Sequence, residues 1–340
     1  MSTECTPISL APGQRVDCKR QRDATDTLDD PSHKHTRLHP RDTVNTQVPL
    51  SFVVFDLETD GLFSDKSTSD EKGDDRDAAR IPRITCAATA IMRMDEKSGK
   101  WVHEDERTWH HPDLTTSSYM STDDIKELVE YLHEHTCAGT VVTGWNSLGF
   151  DTRLLYTHMD GDTEAMHKVI TVAMAQVDIM YNFVKFNGYP VSLDNVACGM
   201  GTTRKTGNGG DMIERWKTGT EDDRKDVIAY CANDVAMTAE VVEAIHSSPG
   251  IKWKTKGYKG PDRNGAEITR QPRIACLYHN ETPRVFESAS DAMQRPFPSV
   301  DWMTSPLDMS STDAWLRAAT GLLTESNAHE TVTKAIPTTH

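Results

Sequence analysis

Apolar and polar positions follow two different periods along this chain, and each change of period marks an element. Pro49-Leu50-Ser51-Phe52-Val53-Val54-Phe55 is a short, β-branched apolar run, the pattern of a buried strand. Ile84 to Met94 resumes a strand pattern, Asp95 to Lys100 supplies turn residues, and Trp101 to His110 reads as the returning strand. Ser121 or Thr122 can cap a helix in which Ile125, Leu128, Val129 and Leu132 recur at i, i+3, i+4 and i+7. Thr140 to Trp145 is a short strand. After Asp151 the period is helical, through Ala165–Ala175 and Ile179–Phe186, with glycine-rich breaks at 199–201 and 207–210. The best-defined helix runs from about Asp222 to Ile245 and stops at Ser-Ser-Pro-Gly. Three strands, a helix, a strand and then helices give an α/β order.

The flanks lack such patterns. Residues 1–47 are rich in Asp, Thr, Pro, His and Arg without apolar periodicity, and are expected to form a disordered tail. The folded domain is expected over 48–248. From 249 to 340 the sequence predicts a basic and aromatic segment, then a polar, partly disordered extension with a helix near Ala314–Leu323. Residues 60–80 read as a long acidic loop.

Charge and cysteine usage narrow the class. The formal net charge of −15 over 340 residues argues against a nucleic-acid coating protein, whose binding depends on neutralising phosphates. It does not weigh against an enzyme that holds phosphates through divalent cations. Seven separated cysteines without a C-x-x-C pair give neither a zinc site nor a disulfide framework, and predict reduced thiols. No apolar stretch reaches membrane-spanning length, so the expectation is a soluble intracellular protein with no membrane partner, nuclear or cytoplasmic.

The candidate chemistry lies in four acids and one tyrosine. Asp56 and Glu58 stand at the end of the first apolar run, in Phe55-Asp56-Leu57-Glu58-Thr59. At i and i+2 of a strand they share a face, and two carboxylates so close repel unless a cation lies between them. Asp151 follows a predicted strand and opens the helical region. Tyr230 and Asp234 are at i and i+4 of the best helix, one turn apart on one face. Each motif alone is common by chance. In order, each on a suitable element, they describe four carboxylates able to hold two Mg²⁺ or Mn²⁺ ions about 4 Å apart. The tyrosine hydroxyl would orient an attacking water.

Phe55-Asp56-Leu57-Glu58-Thr59, Asn146…Phe150-Asp151 and Tyr230…Asp234 resemble the three exonuclease motifs of the DEDD superfamily, tyrosine subtype. The nearest resemblance is to stand-alone predicted 3′–5′ exonucleases related to the proofreading domain of family-B DNA polymerases, over roughly residues 50–247. Asp178-Ile179-Met180 and Pro190 to Ala197 lie between the second and third motifs and support it. The resemblance implies a ribonuclease-H-like fold, a mixed sheet flanked by helices, and release of nucleoside 5′-monophosphates from the 3′ end. It implies that Asp56 bridges two divalent metal ions, Glu58 and Asp234 bind the nucleophile-side ion, Asp151 holds the other, and Tyr230 positions the water. Asn146 and Phe150 would contact the terminal nucleotide, with Thr59 beside them.

Secondary candidates for substrate binding are Arg204 and Lys205 near the glycine-rich stretch, and Trp253 and Lys254 in a segment where basic residues alternate with aromatics. Asp178 and Asp194 are read as structural, as helix caps. The leading expectation is an exonuclease on single-stranded or frayed DNA. The alternatives are an RNA exonuclease of the ribonuclease D type and a catalytically inactive nucleic-acid-binding module, which would lack one or more of the acids. The C-terminal region is a candidate docking segment for a replication or repair protein.

Overall fold

The computed structural model describes residues 49–61, 81–116, 118–261, 265–278, 284–300, 303 and 309–321. The expected tail over 1–47 lies outside these residues, as does the acidic loop beyond Gly61 until Ile81.

β1 (Ser51–Thr59) is the centre of a five-stranded sheet, longer than the apolar run because it continues through both acids of the first motif. It pairs antiparallel with β2 (Ile84–Asp95), which pairs antiparallel with β3 (Lys100–His110). On its other side it pairs parallel with β4 (Val141–Gly144), and β4 with the short β5 (Val177–Asp178). The order is β3-β2-β1-β4-β5.

The pleat divides β1 between two cores. Val53, Phe55 and Leu57 face a cluster with α1 (Thr122–Cys137), α2 (Asp151–His158) and α3 (Thr163–Ala175). Phe52 and Val54 face the opposite cluster, built from α4 (Ile179–Asn187), α5 (Leu193–Met200), α6 (Gly209–Thr218) and α7 (Glu221–His246). Strand alternation therefore turns Asp56 and Glu58 toward the α7 side. Small residues of β2 on that face, Ala88 and Ala90, belong to the same cluster and let α7 lie close to the sheet.

α1 begins at a capping box in which Ser121 and Asp124 each satisfy the other's backbone N–H. α7 starts the same way, with Thr220 and Asp223. Its length of 26 residues, about 39 Å at the usual rise, carries it across the sheet. The sequence predicted no helix at 209–218, where the glycines suggest a loop. There Asn208 caps the first turn, and Met212 and Trp216, one turn apart, are buried on a single face.

Beyond α7 the chain adds to the same body. β6 (Gly250–Lys254) pairs antiparallel with β9 (Ile274–Tyr278), and between them β7 (Tyr258–Pro261) and β8 (Glu267–Arg270) form a separate two-stranded ribbon. Ile251, Trp253, Val285 and Phe286 join the α7-side core. α8 (Ala289–Met293) and α9 (Ser311–Ala319) build a third cluster with Leu148, Ala173 and Tyr181. The helix expected near 314–323 is α9, shifted toward the N-terminus. The result is a mixed parallel and antiparallel sheet flanked by helices, a ribonuclease-H-like α/β fold.

Candidate active site

β1 and α7 bring three carboxylates together. Ligand oxygens of Asp56, Glu58 and Asp234 all lie within 4.8 Å of one another. The two-residue step on β1 and the crossing of α7 over the same face account for this, although the residues are far apart in sequence. Asp234 is buried, and Asp56 and Glu58 are half-buried.

The fourth acid comes from the start of α2. Asp151, at the first turn of α2, is buried and accepts a hydrogen bond from the amide of Leu57 through Oδ1, at 3.0 Å. That amide lies between Asp56 and Glu58 in sequence, so the bond fixes Asp151 against the strand that carries both.

Tyr230 lies one turn before Asp234 on α7, as the spacing predicted. Lys205 reaches into the same place: its Nζ donates to Asp234 Oδ2 at 2.5 Å and to the Tyr230 hydroxyl oxygen at 3.0 Å. The expectation that Lys205 guides substrate from a surface loop is thus changed to a position within the acid cluster. Its neighbour Arg204 donates twice to Asp194, at 2.6 Å each. Asp194 also accepts from the Lys205 amide, so the pair anchors the loop that delivers the lysine.

Electrostatics in the cluster are strained. Burial, then the Asp234 charge, push the Asp56 carboxyl up to about 7. Burial, then Asp56 and Asp234, hold Glu58 well above the usual carboxylate range. Asp151 is raised by burial and next by Asp56, against the Leu57 hydrogen bond. Asp234 is raised by burial, and Lys205 offsets only part of this. Burial works against the charge on Lys205, but Asp234 and Tyr230 more than compensate and keep it protonated. Tyr230 is pushed up to about 12 by burial, so its hydroxyl keeps its proton near neutral pH.

These acids fit a divalent cation. Asp234 Oδ1 is buried and accepts no hydrogen bond, leaving lone pairs within a set of hard oxygen donors. Asp56, Glu58 and Asp234 could hold one ion. Buried carboxylates at this separation repel strongly when all are charged, and a divalent cation converts that repulsion into coordination.

The loop between β4 and α2 is held by residues whose role the motifs did not reveal. Asp178 accepts from the Asn146 amide at 3.1 Å and the Leu148 amide at 2.9 Å, and caps α4 through the Tyr181 amide at 3.0 Å. The cap expected of Asp178 is present, and the same carboxylate also shapes the second motif. Asn146 adopts a positive φ of 65°, a conformation that asparagine tolerates better than most residues. From α9, the indole N–H of Trp315 donates to the Leu148 carbonyl at 2.8 Å. A Cβ at Gly149 would come within 2.8 Å of Asn146 Oδ1 and 3.1 Å of Thr312 Cγ2, so glycine permits this close approach. Phe150 is half-buried immediately before α2. No short motif links Trp315 to residues 146–151.

Other expectations fare differently. Thr59 is buried, and its hydroxyl donates to the Gly61 carbonyl. Trp253 does not stand ready for a base: it is 6% exposed and packs edge-on against Phe183, with ring centroids 5.0 Å apart. Strand alternation explains the difference, since Ile251 and Trp253 point into the core while Lys252 and Lys254 point outward. Cys231, one residue after Tyr230, is buried with its thiol 3.4 Å from the Asp56 carbonyl oxygen.

Comparison with known proteins begins with the RNase_H superfamily, whose family model matches residues 106–246. That match and the acid cluster together support a nuclease. Among solved structures, the chain is similar to Escherichia coli exonuclease I in complex with a dT13 oligonucleotide, at 10% identity and a TM-score of 0.29, over 58% of this chain and 43% of that one. A zinc-bound form of the same enzyme's complex with single-stranded DNA aligns at 12% identity and a TM-score of 0.29, over 58% and 42%. This chain thus spans less than half the length of those structures. No curated protein matches the sequence.

Proposed function

We propose that the protein is a metal-dependent 3′–5′ exonuclease that removes nucleoside 5′-monophosphates from single-stranded or frayed DNA ends. The observation that carries this reading is the convergence of Asp56, Glu58 and Asp234 within 4.8 Å, with Asp151 fixed to the intervening Leu57 amide. The superfamily match over 106–246 supports it. The 3′–5′ direction rests on the resemblance of the three motifs to the DEDD exonucleases.

Two divalent ions, Mg²⁺ or Mn²⁺, would lower the pKa of a water and stabilise the leaving 3′ oxygen. The chain's own residues supply the rest. Asp56 would share both ions, Glu58 and Asp234 would hold one, and Asp151 would hold the other. Tyr230, protonated at neutral pH, can hydrogen-bond the attacking water and orient it along the scissile bond. Lys205 sits against both Tyr230 and Asp234, where its positive charge can offset charge building on the phosphate. Asn146 and Phe150, at the edge of the loop held by Asp178 and Trp315, would meet the terminal nucleotide.

Digestion of 3′- and 5′-labelled single- and double-stranded DNA and RNA, with Mg²⁺ or Mn²⁺ and with EDTA, tests this reading. Stepwise shortening of 5′-labelled single-stranded DNA is expected, abolished by EDTA and by Asp56→Ala. Absence of cleavage on every substrate would refute the activity. Activity surviving Asp56→Ala would refute the site.

A further inference from the structure

The β6–β9 pair and the β7–β8 ribbon form a basic arm on an acidic protein. Residues 250–278 hold seven Lys and Arg against two Asp and Glu, while the whole chain carries −15. Lys256, Lys259, Arg270 and Arg273 are exposed, and Lys252 and Lys254 half-buried. None of these six forms an ion pair among the described residues. Elsewhere in the molecule basic side chains do pair: Arg204 with Asp194, Arg215 with Asp223 and Asp226, and Lys168 with Glu130.

Strand register sorts the arm into faces. Ile251 and Trp253 anchor β6 in the core, so its other face presents Lys252 and Lys254. Directly opposite them on β9 lie Cys276 and Ile274, and Ile274 is 53% exposed. In the ribbon, Tyr258 lies opposite Arg270, with Tyr258 41% exposed. Cations next to an exposed aromatic ring on a two-stranded ribbon combine phosphate attraction with a surface for stacking.

The arm is tied to the loop that enters the acid cluster. β6 crosses α5 so closely that a Cβ on Gly199 would fall 2.4 Å from the Lys252 carbonyl carbon and the Trp253 Cα. The Lys252 amide donates to Met200 Sδ at the end of that helix. The first turn of the same helix holds Asp194, which pins Arg204 and the Lys205 amide. One helix therefore carries the arm and anchors the lysine that touches Asp234 and Tyr230.

We infer that this arm is a docking surface for single-stranded polynucleotide upstream of the cleaved end, binding the phosphate backbone through Lys252, Lys254, Lys256, Lys259, Arg270 and Arg273 and stacking a base on Tyr258. The inference rests on the exonuclease reading only for the direction in which the strand runs. The arm binds by charge and stacking, without sequence selectivity, and is separate from the groups that cut.

The test uses the full chain with Lys256→Gln, Lys259→Gln and Arg270→Gln combined, three exposed positions whose neutralisation leaves the core intact. Fluorescence anisotropy is read with an oligothymidylate of about twenty nucleotides over a salt series, in EDTA so that nothing is cut. The slope of log affinity against log salt is expected to fall by roughly 2, at about 0.7 per lost phosphate contact on a single strand. Tyr258→Leu is expected to weaken binding about tenfold with little change in slope. Hydrolysis of a thymidine 5′-phosphate aryl ester, which offers no upstream strand for the arm, should stay within about twofold of wild type in the triple variant. An unchanged slope and affinity in the triple variant would overturn the inference, as would tighter binding of blunt duplex than of single strand, or equally strong competition by free polyglutamate, a polyanion without bases or phosphates. Oligouridylate and oligothymidylate run in parallel, and loss of arm-dependent binding on both supports a shared backbone contact. A wild type that binds through the arm and cuts nothing refutes the exonuclease and keeps the arm, whereas normal binding and shortening by the triple variant does the reverse.

Discussion

The three-acid cluster and the Asp151 loop meet on β1 within a few residues, yet they are held in different ways. Asp56, Glu58 and Asp234 face one another with Lys205 as their cation, and Asp234 Oδ1 has no hydrogen-bond donor. Asp151 is fixed by the Leu57 amide, and its loop is fixed in turn by Asp178, Gly149 and Trp315. The first region concentrates repulsion and depends on a cation for relief. The second is tied down by backbone donors and packing, although burial and Asp56 keep the Asp151 carboxyl raised as well. Hydrogen bonds and packing therefore hold the loop's geometry independently of the repulsion in the acid cluster.

The largest effect expected from this contrast is on activity at the cluster. Asp56→Ala should lower exonuclease turnover about a thousandfold or more, since it removes a ligand and the shared bridge. Its circular dichroism should match wild type, and a variant that loses its fold would break the distinction between the two regions.

Stability should respond to pH through the same residue. The Asp56 pKa is raised from 3.8 to about 7 in the folded chain, so the folded state binds the proton more tightly than the unfolded state. In EDTA, this group's contribution to stability is therefore greatest below about pH 3.8, where both states are protonated, and falls by a few kcal/mol as pH rises from there through about 7. Asp56→Asn should flatten that slope, and Mn²⁺ should raise Tm at pH 7 in wild type more than in the variant. Denaturant unfolding across this range, with and without Mn²⁺, measures both. A stability that rises over the same window would contradict the repulsive cluster.

The loop should lose stability without any help from metal. Asp178→Ala leaves the Asn146, Leu148 and Tyr181 amides without their acceptor, at a cost of about 3 kcal/mol, and Mn²⁺ should not restore it. Trp315→Phe removes one hydrogen bond to the Leu148 carbonyl and should cost about 1 kcal/mol. Turnover is expected to fall severalfold while the affinity for a short oligonucleotide stays near wild type. If Trp315→Phe changed neither stability nor turnover, α9 would be packing on the loop without positioning it.

Much of this architecture can be read locally. The alternation of β1 puts Asp56 and Glu58 on one face, the i, i+4 spacing puts Tyr230 and Asp234 on one face of α7, and both strands of the β2–β3 hairpin follow their patterns. Trp253 shows where local reading fails. Its basic and aromatic surroundings suggest a stacking surface, but the period of the strand turns the ring inward against Phe183. α6 was hidden by glycines that a cap at Asn208 accommodates. Lys205 looked like a surface cation because nothing nearby in sequence announces the acids it meets.

The sequence by itself determined which groups could do chemistry and which way each faces on its own element, because side-chain direction follows from helix and strand periods of a few residues. Only the tertiary structure decided which elements meet. It brought Asp234 to Asp56 and Glu58, placed Lys205 between Asp234 and Tyr230, and set Trp315 against the Leu148 carbonyl. Those contacts join residues far apart in the chain through long-range packing, and packing leaves no short-range period to read.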